Sequence, residues 1–98
     1  MKNLNVTDMF CQLMEMSLYL SPSVNRVCIA KLCCCSPGML DQSLKKEFGY
    51  TSMEIVALCR LQFAQSLMVM GAGYNDLYRY SGFSSRKEME RALKYIVN

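Results

Sequence analysis

The chain has 98 residues, 52% of them hydrophobic and 19% charged, with a formal charge of +3. That balance excludes a disordered tail, and the length restricts the chain to one small domain near the lower limit for a self-sufficient core. No apolar run reaches the ~20 residues a membrane helix needs, and the early apolar segment, broken by Gln12 and Glu15, is no signal peptide, so a cytoplasmic protein without a membrane partner is expected.

Met1 to Val6 reads as a loose start. Thr7 is the expected cap of a helix from about Asp8 to Leu20, with Phe10, Leu13, Met14 and Leu18 as its apolar stripe. Ser21-Pro22-Ser23 ends it, because proline disfavours helix in the residue before it. A second helix is expected from about Val24 to Leu32, with Val27, Ile29, Ala30 and Leu32 inward and Arg26 and Lys31 outward. Cys33, Cys34 and Cys35 fall in the turn that follows. Ser36 then caps a third helix, and Pro37 takes a first-turn position where its missing N–H is not needed. Leu40, Leu44 and Phe48 form the buried side, Asp41, Gln42 and Lys45 the outer side, and Gly49 the stop.

Thr51 and Glu54 have the spacing of a capping box. They open the longest helix, about Ser52 to Met70, whose apolar residues nearly encircle it, as in a helix covered from two sides. Gly71-Ala72-Gly73 ends it. The last quarter reads as a short helix from Tyr74, a tight turn at Gly82 and a second helix starting near Ser85, which with Glu88 repeats the capping-box spacing. Met89, Leu93 and Ile96 form one face of that helix, and Lys87, Arg91 and Lys94 another. The pattern predicts an all-α fold. Two helix-turn-helix subdomains are joined by the long central helix: an N-terminal extension over 1–22, the first unit over 23–50, the linking helix over 51–71 and the second unit over 72–98.

Charge is unevenly distributed. From Leu77 to Asn98, Arg79, Arg86, Lys87, Arg91 and Lys94 outnumber Glu88 and Glu90, while the basic and acidic residues before Leu77 cancel. A helix presented by a turn and carrying such a row suits the major groove, where lysine and arginine bind phosphates and guanine edges. The competing reading is a solvated face of a small helical bundle.

Six cysteines raise the question of zinc or disulfides, but there is no histidine and no repeated Cys-x-x-Cys, so no metal site is expected and small buried thiols are the default. Redox sensing through Cys33 to Cys35 is the alternative. An enzyme is not expected, since there is no histidine, no glycine-rich phosphate loop and no placed carboxylate pair.

From about Val27 to Lys94 the chain resembles the DNA-binding domain of the AraC/XylS family of bacterial transcription regulators. The resemblance rests on Ile29, Ala30, Ser36, Leu40, Leu44, Lys45 and Gly49 in the first unit. In the linking helix it rests on Arg60, Leu61, Ala64, Leu67 and Met68, and in the second unit on Gly82-Phe83-Ser84-Ser85 with Met89, Arg91, Leu93 and Lys94. The segments near Leu58 to Ser66 and Gly82 are most similar to the branch that activates type III secretion genes, a virulence function. The resemblance implies a homeodomain-like fold and two recognition helices reading successive major grooves of double-stranded DNA, without a cofactor. The expected contacts are Gln42, Lys45 and Lys46 in the first unit, Arg86, Lys87, Arg91 and Lys94 in the second, and the caps Ser36 and Ser85 on phosphates.

The chain departs from the family in several places. Cys34 stands where a glycine is usual and Tyr78 where an alanine is, an outward Asp41 would repel phosphate, and the family's last helix is lacking. That last departure is expected to leave apolar surface open near Leu93, Ile96 and Val97. It motivates an alternative function, a truncated family member acting through protein contacts with a full-length regulator, a chaperone or RNA polymerase. A homodimer is also left open.

Overall fold

The structure, a computed structural model, describes residues 5–97, with side chains to residue 95. It is all-helical, and no strand occurs among the described residues. Its elements are α1 (Val6–Glu15), a 3-10 turn (Leu18–Leu20), α2 (Arg26–Leu32), α3 (Pro37–Phe48), α4 (Ser52–Val69), α5 (Tyr74–Tyr80), α6 (Arg86–Ala92) and a π turn (Leu93–Val97). No helix among the described residues is long and apolar enough to cross a membrane. Packing divides the chain into two compact units, one of residues 5–18 and 24–55, the other of 19–23 and 56–97.

In the first unit α1 and α2 both pack on α3, burying Phe10, Ile29, Ala30, Leu40 and Leu44. The helix starts are set by local side chains. Asn5 Oδ1 accepts from the Asp8 N–H at 2.8 Å, Asn25 Oδ1 from the Cys28 N–H at 2.9 Å, and Ser36 Oγ from the Met39 N–H at 3.2 Å.

Several elements differ from their expected bounds. The cap of α1 is Asn5 and not Thr7, which is buried in the first turn. The helix ends at Glu15 rather than Leu20, because Ser17 turns the backbone left-handed at φ 64°. Helix α2 starts at Arg26 rather than Val24, held by Asn25. Val27, Leu32 and Phe48, expected inside, are exposed. A seven-residue helix packed on one neighbour buries only a narrow stripe, here Ile29 and Ala30.

Asp41 also behaves differently from its outward, phosphate-repelling reading. Its Oδ1 accepts from the Ser52 N–H at 2.9 Å and the Ser52 Oγ–H at 2.6 Å, and its Oδ2 from Arg26 Nε at 3.0 Å. The carboxylate thus sits on the first turn of α4, where both an orphan N–H and the helix dipole favour it. Burial pushes this carboxyl up, but the Ser52 bonds and the Arg26 charge outweigh it and hold it below the usual range. Glu54 is also lowered, by the Thr51 N–H at 2.8 Å in the predicted capping box. Depressed folded values mean stability that is present above the unfolded carboxyl pKa of about 4 and lost as pH falls through the folded values. Asp41→Asn is therefore expected to cost about 1.5–3 kcal/mol at neutral pH and to flatten the fall in melting temperature below pH ~4. An unchanged acid profile would show that Asp41 does not hold α4.

The turns after α2 and α5 use one device. The Cys35 N–H reaches back to the Ala30 carbonyl at 3.0 Å and the Phe83 N–H to that of Tyr78 at 3.0 Å, with the residue before each in left-handed backbone, Cys34 at φ 58° and Gly82 at φ 94°. This is the Schellman stop, which favours glycine. Cys34 is exposed, so Cys34→Gly relieves backbone strain without opening a cavity. It is expected to stabilise the protein by about 0.5–1 kcal/mol, read as a melting temperature a few degrees higher.

In the second unit Ala64, Leu77, Phe83, Met89 and Ala92 form the core, with Ala57, Leu61, Leu67, Ala72 and Tyr78 packed around them. Helix α4 is unbroken over 18 residues, about 27 Å at 1.5 Å per residue. Its covering is less complete than the all-round apolar pattern predicts, for Met68, Val69 and Met70 are exposed.

Candidate nucleic-acid interface

The last two helices are set by a cluster centred on Arg60, a residue the sequence marks only as part of a resemblance. Its side chain is 3% exposed. Nε donates to the Tyr19 carbonyl at 2.6 Å and an outer nitrogen to the Ser21 carbonyl at 2.9 Å. The guanidinium lies 5.6 Å from the centre of the Phe83 ring and 3.6 Å from Glu88 Oε1. Burial lowers the Arg60 pKa and the Glu88 charge opposes that shift. Gly82 closes on the same place, where an added Cβ would run into the Tyr19 carbonyl and the Leu20 Cα.

The start of α6 departs from the predicted capping box in one detail. Ser85 Oγ accepts from the Glu88 N–H at 3.1 Å, as expected. Glu88 returns its carboxylate not to Ser85 but to Ser84, accepting from its N–H at 3.1 Å and from its hydroxyl. Glu88 is thereby drawn to the side of α6 that faces Arg60.

The other acid on α6 is also engaged. Glu90 Oε1 accepts from Arg86 Nε at 2.9 Å, Arg86 donates to Asn75 Oδ1 at 3.0 Å, and its guanidinium stacks 5.1 Å from the Tyr74 ring. The Arg86 pKa is raised by the bond it donates to Glu90 and by the charge of that carboxylate. Arg86, expected on DNA, is thus tied within the protein and clasps α5 to α6.

Lys87, Arg91 and Lys94 remain. All are exposed and none makes an ion pair among the described residues. Lys87 and Arg91, four residues apart, lie on the side of α6 away from Met89, which is buried, and Lys94 follows in the π turn. Leu93 on the packing face is partly exposed, and the side chains of Ile96 and Val97 lie outside the described residues.

In the first unit Ser36, Gln42, Lys45 and Lys46 are exposed on α3. With Asp41 turned to Ser52 and Arg26, the acid expected to oppose phosphate there is spoken for. Ser36 and Ser85 use their oxygens as caps, which leaves each hydroxyl hydrogen to donate outward.

The cysteines divide. Cys33 is buried, Cys11, Cys35 and Cys59 are half-buried, and Cys28 and Cys34 are exposed, contrary to the uniform burial expected. Burial pushes the Cys33 and Cys35 thiols up, away from the reactive thiolate. Among the described residues no group of three acidic or thiol side chains is placed to hold a metal ion. No protein family matches the chain, and neither a curated protein nor a solved structure does.

Proposed function

We propose that this chain is a sequence-specific DNA-binding transcription regulator built, like the AraC/XylS family it resembles, from two helix-turn-helix subdomains of homeodomain type. One observation carries the reading. Both acids of α6 are drawn to partners on its other sides, Glu88 to Ser84 and Arg60, Glu90 to Arg86, so Lys87, Arg91 and Lys94 face solvent without compensation. A solvated helix face ordinarily intersperses both signs. An uncompensated row on a helix introduced by a fixed turn suits phosphate binding and the pairing of arginine with guanine. On α3, Gln42, Lys45 and Lys46 supply a weaker second contact.

The test is selection of bound duplexes from a randomised pool, followed by titration of the enriched duplex at physiological salt. The enriched sequence should bind at least ~1,000-fold more tightly than competitor DNA. Absence of sequence preference would remove the proposal.

A further inference from the structure

Lys87 and Arg91 stand four residues apart on α6, and the next step of four ends on Tyr95, in the π turn that continues the helix. Residues at that spacing are neighbours on a helix surface. A π turn closes on the fifth residue rather than the fourth, so it winds more slowly about the axis and keeps Tyr95 close behind Arg91. The Tyr95 side chain is 75% exposed. Among the described residues its hydroxyl meets no hydrogen-bond partner and its ring no aromatic or cationic neighbour, unlike Tyr74, whose ring carries Arg86. We infer that Tyr95 is a further DNA contact, its hydroxyl donating to a phosphate oxygen, an inference that rests on the reading of α6 as the helix that meets the duplex.

Position along the helix selects phosphate over a base edge. In helix-turn-helix complexes the first residues of the recognition helix reach the bases, and in homeodomains the end of that helix touches the backbone. Tyr95 comes about two and a half turns past the Ser85 cap. Its phenol O–H donates, and phosphate oxygens are the acceptors that line the groove at that end. Lys94, exposed beside it in the chain, brings positive charge to the same place. The contact differs in kind from those of Lys87 and Arg91, because a neutral donor on a phosphate displaces no counterion.

Tyr95→Phe removes only the hydroxyl and is the test, read by titration of the duplex enriched by the parent chain. A hydrogen bond to a charged group is worth enough that binding should weaken about 10-fold or more. Competitor DNA should lose affinity by a similar factor, since a phosphate contact carries no sequence information. The slope of log affinity against log salt should stay that of the parent, as should the thermal melt, for an exposed side chain without partners. Tyr95→Ala should bind no more weakly than Tyr95→Phe. A Tyr95→Phe chain that binds like the parent, a loss confined to the enriched sequence, or a flattened salt slope would each overturn the inference. Where the parent enriches no duplex, the DNA-binding reading falls and takes this contact with it; where the parent binds selectively and Tyr95→Phe binds equally well, only this contact falls.

Discussion

Arg60→Met is expected to lower the stability of the protein by about 3–5 kcal/mol, a large fraction of what a domain of this size possesses. The substitution keeps the volume and apolar stem of the side chain but leaves the Tyr19 and Ser21 carbonyls without their donors, and Glu88 loses its cationic neighbour. Each part-buried acceptor so abandoned costs about 1–3 kcal/mol. Arg60→Lys should recover only part of the loss, since one ammonium on a flexible stem does not reproduce a planar fork aimed at two carbonyls. Denaturant titration followed by helical ellipticity measures both. A loss below ~1 kcal/mol for the methionine variant would mean that the segment around Tyr19 to Ser21 is held by something other than this residue.

The triple variant Lys87→Ala, Arg91→Ala, Lys94→Ala is expected to abolish measurable DNA binding at physiological salt while leaving the melt within ~0.5 kcal/mol of the parent, as for exposed positions without partners. Each cation that contacts a phosphate displaces about one counterion, so the slope of log affinity against log salt should flatten by roughly 0.9 for each such residue removed. Arg91→Ala alone should weaken binding much more than Lys45→Ala, because α3 offers only Gln42, Lys45 and Lys46 beside an exposed Glu47. Arg86→Ala is the instructive control. Its guanidinium is occupied by Glu90, Asn75 and Tyr74, so its loss should act through the seating of α6 and leave the salt slope unchanged. A slope reduced as much by Arg86→Ala as by Arg91→Ala would show that the clasp opens on DNA. A triple variant binding like the parent would discard the row as the contact surface.

Much of the helical plan is written locally. Ser36 and Ser85 cap where their spacing to a following helix says they should, Thr51 and Glu54 close a reciprocal pair, and Gly49 and Gly82 adopt the left-handed stops. These are contacts within three to five residues, and the chemistry of the side chain is enough to specify them. Asn5 and Asn25 are caps of the same kind and were equally readable, but hydrophobic periodicity draws the eye to Thr7 and Val24 instead. The errors of burial at Val27, Leu32, Phe48 and Met68 have another origin. Periodicity tells which side of a helix is apolar but not whether a neighbour covers it.

By itself, then, the sequence determined that the chain is helical, where most helices begin and end, and that its excess positive charge lies after Leu77, because each of these depends on residues close together in the chain. Only tertiary structure decided which charges remain available. Asp41 and Ser52 are 11 residues apart, Arg86 and Asn75 also 11, and Arg60 and Tyr19 are 41. Pairings across such separations follow from how helices pack and from the cost of leaving a polar group unpaired, neither of which any single stretch of chain contains.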